Sequence, residues 1–208
     1  MKKYFMKYKI LLLCAISFFS FSAKSQITIT RADMPCPIGN NFNGDSVIYT
    51  NVPVAQNTID VNATGQSSVW NTVPLVNGTQ AYQNFLPLNQ TPIIFQLVFL
   101  GSDYAQPLLW NQNIAGLPLT DAYEYYNYAG NDTRLEIKGF GANINLQGTT
   151  LPLPGIYTSP DVLYRFPMQY GNSDSSSSGY SVAVPPGGSP IATIKRTQTR
   201  VNNVDGWG

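Results

Sequence analysis

The chain has 208 residues, with 12 basic and 11 acidic side chains, two cysteines and no histidine. The lack of histidine excludes Ser-His-Asp and Cys-His catalysis and removes the commonest zinc ligand. Few charges combined with many Asn, Ser, Thr, Tyr, Gly and Pro residues are typical of secreted β-proteins.

The first 25 residues have the layout of a secretory signal peptide. Four lysines within the first nine residues precede an apolar stretch over residues 10–21, and Ala23-Lys24-Ser25 fits a cleavage site. The apolar stretch is shorter than the ~20 residues needed to span a membrane. We therefore predict cleavage after Ser25, with residues 26–208 forming a single exported domain that does not span a membrane.

Removal of this segment changes the charge balance. It carries five lysines, so seven basic and eleven acidic residues remain, a net charge of −4. A mildly acidic domain is a poor nucleic-acid binder. The single remaining cysteine, Cys36, excludes an internal disulfide, so stability has to come from a hydrophobic core.

Alternating hydrophobicity predicts a series of short strands. The first four are at 27–30, 46–50, 58–61 and 68–71. The run Ile93–Leu100, IIFQLVFL, is apolar on both faces apart from Gln96. Because it is short, flanked by Pro92 and Gly101, and rich in β-favouring residues, it predicts a central strand rather than a buried helix.

Two hairpins are predicted in the second half of the chain. The first spans 122–140 and follows a loop at 107–118 that carries Trp110. Residues 141–160 are predicted to be mostly loop, with one strand at 142–146 and a Pro-Leu-Pro-Gly turn at 152–155.

The second hairpin spans 161–184, with strand alternation over 162–170 and again at 180–184. Between them lies a Gly-Asn-Ser-Asp-Ser run, which is typical of a turn. A last strand is predicted at 191–204. Many short strands with regular turn signals predict an all-β fold, an antiparallel β-sandwich.

Four tyrosines, Tyr123, Tyr125, Tyr126 and Tyr128, lie close together on one predicted strand. Flat aromatic faces beside Asn and Asp are what carbohydrate binding requires, so they are candidates for a sugar-stacking platform. The alternative is that they cap the sheet with their hydroxyls in water.

The chain contains two glutamates, Glu124 and Glu136, on opposite arms of the first hairpin. Glycoside hydrolysis needs two carboxylates. If Tyr128 pairs with Thr133, however, the two acids lie on opposite faces of the sheet. Solvated strand positions are therefore the favoured interpretation, and we predict no catalytic residues.

Asp132 and Asp174 lie in oxygen-rich loops and are candidate calcium ligands. Neither loop has the ligand spacing of a known calcium loop, and turn-forming Asn and Asp explain both, so we predict no cofactor. Ser46, within Asp45-Ser46-Val47, matches the short O-glycosylation motif of Bacteroidota and is a candidate modification site.

Three blocks of sequence resemble secreted Bacteroidota proteins: the start of the mature chain at 27–35, DVLYRFPMQYGN at 161–172, and RVNNVDGWG at 200–208. Such proteins generally carry a C-terminal type IX secretion sorting domain after this region. The resemblance implies export by that machinery and suggests a natural polypeptide that continues past Gly208.

We therefore predict a secreted or outer-membrane-surface, non-catalytic β-domain that acts as an adhesion or binding module. A polysaccharide or a surface protein is the expected partner. The alternative is a carbohydrate-binding accessory domain that uses the tyrosine-rich face, and a glycoside-active enzyme ranks third.

Overall fold

The computed structural model describes residues 27–36, 43–51, 65, 79–108, 113–114, 117–184, 190 and 192–206. The predicted signal peptide, the predicted strands at 58–61 and 68–71, and Trp110 lie outside these residues. Among the helices of the described ranges, none has the length and apolar character needed to cross a membrane.

The described residues form nine strands: β1 Asp45–Asn51, β2 Thr79–Phe85, β3 Tyr104–Pro107, β4 Asn113–Ile114, β5 Leu117–Ala129, β6 Arg134–Leu146, β7 Thr149–Arg165, β8 Ser173–Val184 and β9 Ala192–Asn203. One short helix, α1 (Ile93–Val98), and the 3-10 turns Arg31–Asp33 and Leu88–Gln90 complete them.

The strands form two antiparallel sheets. β1 and β2 pair as a separate two-stranded ribbon, and the others form one sheet in the order β3-β5-β6-β7-β8-β9, with β4 beside the start of β5. The predicted all-β, antiparallel class is confirmed. The predicted strand at 27–30 is reduced to one bridge between Ile29 and Met168.

The predicted central strand at 93–100 is wrong, because Ile93–Val98 form helix α1. Pro92 sits at the N-cap, where its missing N–H is not needed. Its carbonyl oxygen accepts hydrogen bonds from the N–H groups of Phe95 at 2.9 Å and Gln96 at 3.1 Å. The helix therefore starts directly after the proline that seemed to bound a strand.

The burial of α1 follows a helical period. Phe95 and Phe99, four residues apart, are 0% and 1% exposed, whereas Leu97 between them is 67% exposed. Residues four apart share one face of a helix. The apolar run thus buries two phenylalanines, half-buries Val98 and leaves its other aliphatic side chains towards solvent.

The first predicted hairpin is confirmed as β5 and β6, but its register differs from the predicted one. Tyr128 pairs with Leu135 rather than Thr133. Gly130, Asn131 and Asp132 all have positive φ angles, so the turn takes up more residues than predicted. A β-bulge shifts the register again further along the hairpin.

The segment 141–160, predicted to be mostly loop, is largely strand. Gln147 and Gly148, with φ of 51° and 84°, form a two-residue turn of the type that matches strand twist, and β7 returns along β6. Pro152 and Pro154 both lie within β7. Because alternate residues point their N–H groups to the same edge, the missing donors fall on one edge and the other still pairs with β6.

β8 begins at Ser173, so the serine run predicted as a turn is strand. Its ladder with β7 contains a single backbone pair, Ser159 with Gly179. Three hydroxyls instead donate to carbonyl oxygens across this boundary: Thr158 to Gly179 at 3.0 Å, Ser159 to Ser177 at 2.9 Å and Ser176 to Val162 at 3.2 Å. Side chains thus take over bonds that the backbone normally makes.

The long sheet is curled, and the core lies inside the curve. The Tyr180 ring of β8 lies 5.0 Å from the Phe140 ring of β6 and 5.2 Å from the Tyr157 ring of β7. The charge of Arg196 on β9 also acts on Glu124 of β5, four places away in the sheet order. Four strand spacings in a flat sheet amount to roughly 19 Å, so the sheet is strongly curved. On the other face, α1 covers β5.

Candidate functional site

The predicted tyrosine platform is wrong. Tyr125, Tyr126 and Tyr128 are buried, and Tyr123 is half-buried. Tyr125 stacks on Phe99, the C-cap residue of α1, with centroids 4.1 Å apart. Tyr126 instead stacks on Tyr104 of β3, in a separate cluster of buried residues. The tyrosines point to opposite faces of β5 and pack within the protein. They form neither one exposed surface nor a hydrated cap.

The two glutamates lie on opposite faces of the hairpin, as predicted. Glu136 is opposite Asn127 in the ladder and accepts a bond from the Arg134 guanidinium at 2.9 Å. Glu124 lies on the face of Tyr126, whose hydroxyl donates to it at 2.8 Å. This pair therefore cannot flank one glycosidic bond.

A polar cluster inside the curl contains a carboxylate that the sequence did not single out as a site. Asp161 is 1% exposed. It accepts two hydrogen bonds from Arg200, one from Nη2 at 2.7 Å and one from Nε at 3.0 Å, and a third from the Gln198 amide. Its two oxygens are thus held within the fold, and we assign Asp161 to structure rather than to chemistry.

Burial raises the pKa of Glu124, and the bond from Tyr126 and the charge of Arg196 oppose this shift. A raised pKa in the folded state means that Glu124 favours folding while protonated. Its contribution is complete below the ordinary carboxyl pKa and is lost as the pH rises through the raised value.

Glu124→Gln is therefore expected to stabilise the protein at pH 7 relative to the wild type. The gain should disappear at the acidic end of a pH series, where the wild-type carboxyl is protonated. Urea unfolding of both proteins from pH 4 to pH 8 measures this difference. A gain that is the same at every pH would contradict the assignment.

The calcium candidates lie in different surroundings. Asp132 Oδ1 is 3.6 Å from Nε of Arg31, and Asp174 Oδ1 accepts a bond from the Asn202 amide at 3.3 Å. No three His, Cys, Asp or Glu side chains come together as a metal site in the described ranges. We therefore do not propose a calcium site at these residues. Ser46 is exposed in β1, and its glycosylation stays a prediction.

A cavity of about 190 Å³, here called the corner pocket, lies where β7 ends and β8 begins. Both apolar or aromatic residues and polar residues line it. These are Tyr164, Phe166, Pro167, Met168 and Val204, and Arg165, Asn172, Ser173, Asp174 and Asn202.

The turn that forms the pocket is fixed by its neighbours. The N–H of Gln169 donates to Asn172 Oδ1 at 2.8 Å, which closes the turn on itself. Val204 exchanges backbone hydrogen bonds with the last two residues of the turn, accepting from Gly171 at 2.7 Å and donating to Asn172 at 2.9 Å. Gly171 has a φ of 84°, which suits glycine.

Polar groups of the pocket keep hydrogen-bonding capacity. The Asn202 amide is shared between Asp174 and the carbonyl oxygen of Leu163. No described residue donates to the second oxygen of Asp174. Tyr164 is 40% exposed. The sequence identified Asp174 as a candidate calcium ligand but did not identify Tyr164 and Phe166 as site residues. All three lie within the predicted second hairpin at 161–184.

No protein-family model, curated protein or solved structure matches this chain.

Proposed function

We propose that the protein is a secreted, non-catalytic binding domain whose ligand is a saccharide held in the corner pocket. The observation that carries this proposal is that two aromatic residues, Tyr164 and Phe166, line the same pocket as the polar residues Asp174 and Asn202. A sugar ring presents C–H groups on its faces and hydroxyls around its edge. It therefore suits a pocket that offers both aromatic residues and hydrogen-bonding groups.

The size of the pocket sets the expected affinity. At about 190 Å³ it is smaller than the ~300 Å³ typical of pockets for drug-sized ligands, so one sugar ring is the natural occupant. A hexose has about 12 non-hydrogen atoms, and ~0.3 kcal/mol per atom corresponds to a Kd of about 2 mM. Weak single sites suit an adhesion module that binds repeated surface glycans.

A binding role fits this pocket better than hydrolysis. Among the described residues that line it, Asp174 is the single carboxylate, and glycoside hydrolysis typically uses a pair. Asp161 has its oxygens occupied by Arg200 and Gln198.

Export is the second half of the proposal. Its support is the basic and apolar pattern of residues 1–25 and the resemblance to Bacteroidota proteins exported by the type IX machinery. Outside the cell, polysaccharide is an abundant source of the ligand chemistry that the pocket suits.

A glycan array followed by titration calorimetry of residues 26–208 tests the binding function. We expect millimolar binding to at least one glycan and a loss of about tenfold or more in Tyr164→Ala, since a stacked ring is worth about 1.4 kcal/mol. Tyr82→Ala is the matched control, because Tyr82 is also exposed (58%) but lies in β2. A silent array, or equal affinity in Tyr164→Ala, would sink the proposal.

A further inference from the structure

Arg165 is a cation at the corner pocket for which the described residues supply no ionic partner. It is the last residue of β7, is exposed and lines the pocket. Within the described part of the chain, no hydrogen bond or ion pair involves its guanidinium. The other arginine of this corner, Arg134, is already paired with Glu136 at 2.9 Å.

The position of Arg165 is unfavourable without a partner. It lies directly opposite Arg134 in the β6–β7 ladder, and like charges at opposite positions of a sheet destabilise it. Glu136 forms its ion pair with Arg134, and among the described residues it has none with Arg165. An anion bound at Arg165 would relieve the remaining repulsion, so the local electrostatics favour a negatively charged ligand.

We propose that the ligand of the corner pocket is an acidic saccharide, whose carboxylate or sulfate oxygens pair with the Arg165 guanidinium. This inference rests on the proposed function and adds the ligand class. The planar guanidinium matches two oxygens of either anionic group at once. Tyr164, which also lines the pocket and is 40% exposed, is the residue we expect to contact the face of the same ring.

The two charged groups of the pocket give the ring one orientation. Asp174 repels an anionic substituent and accepts bonds from ring hydroxyls, whereas Arg165 attracts the substituent. The chain without its first 25 residues has a net charge of −4, so general attraction does not account for affinity towards a polyanion. A preference for acidic glycans would thus have to arise at a local site.

The test compares saccharides that share one backbone and differ at the anionic group. Oligogalacturonate is titrated beside the same oligosaccharide with its carboxylates methyl-esterified, and a sulfated galactan oligosaccharide beside its desulfated form. We expect about tenfold tighter binding of one acidic probe over its neutral counterpart at low salt, since a charged hydrogen-bonding pair contributes ~1.5 kcal/mol. The preference should shrink at higher ionic strength.

Arg165→Gln is expected to abolish this preference, so that the acidic and the neutral probe bind to the variant with equal affinity. Lys195→Gln is the matched control, because it removes one exposed cation from the opposite end of β9 and should leave the preference intact. An equal loss in both variants would overturn the proposal, since it would show non-specific charge attraction.

The outcomes separate this inference from the function on which it rests. Equal binding of acidic and neutral probes by the wild type would overturn the acidic ligand and leave saccharide binding in place. No binding of any probe or array glycan at millimolar concentration would overturn both. The pair that shows the preference, galacturonate or sulfated galactan, identifies the anionic group.

Discussion

Arg200→Met is expected to lower the free energy of unfolding by about 3–5 kcal/mol, because it leaves a buried carboxylate without its cation. Asp161 is 1% exposed and receives two of its three bonds from Arg200. Methionine keeps much of the apolar stem, so the loss reports the charge more than the packing. Urea unfolding at neutral pH measures the change.

Two further variants make this test specific. Arg196→Met removes an exposed arginine that bonds to Gln198, and we expect a change within about 1 kcal/mol. Asp161→Asn should cost less than Arg200→Met, because the Arg200 side chain is 35% exposed and stays partly hydrated. Equal, small effects of Arg200→Met and Arg196→Met would contradict the buried ion pair.

Phe99→Ala is expected to cost about 3–5 kcal/mol, whereas Leu97→Ala should change stability by no more than about 0.5 kcal/mol. Phe99 is 1% exposed and stacks on Tyr125, but Leu97 is 67% exposed. If this segment were a strand, the two residues would share a face and their substitutions would cost similar amounts.

The same urea titrations decide between the two structures of this segment. Ile93→Ala serves as a second control, because Ile93 is 69% exposed on α1. A cost for Leu97→Ala as large as that of Phe99→Ala would contradict the docked helix.

The sequence predicts this fold well where one face of a strand is buried and the other is hydrated. β9 shows this pattern, with half-buried and exposed residues alternating through much of its length, and its predicted bounds are nearly correct. β5 and β6 were also found, because the Gly130–Asp132 turn separates two β-favouring segments. In these elements hydrophobic period and turn chemistry agree.

The failures have physical causes of their own. The run at 93–100 has no polar residue at a regular interval, so neither period is visible and its length fits a strand or a short helix. Pro152 and Pro154 suggested a turn, but at alternate positions they remove donors from one edge only. The serines of β8 resemble a turn because the same hydroxyls that bond across β7 also favour turns.

The candidate site was harder to predict than the fold. Tyrosine carries both a ring and a hydroxyl, so composition alone did not show that Tyr125 and Tyr126 point into different core clusters. Asp161 and Arg200 are 39 positions apart, and their contact depends on how β9 lies over β7. The corner pocket likewise joins the end of β7 to the end of β9, which a single sequence does not reveal.

The boundary between β7 and β8 has a consequence for the order in which the fold comes apart. β8 and β9 share twelve backbone pairs with each other, but β8 shares one with β7. The other hydrogen bonds between β7 and β8 are donated by side-chain hydroxyls. Water can replace these bonds. The β8–β9 ribbon is therefore the natural unit to separate as a whole, with its own ladder intact. Its separation also has to break the Arg200–Asp161 pair and the contacts of Tyr180 with Phe140 and Tyr157.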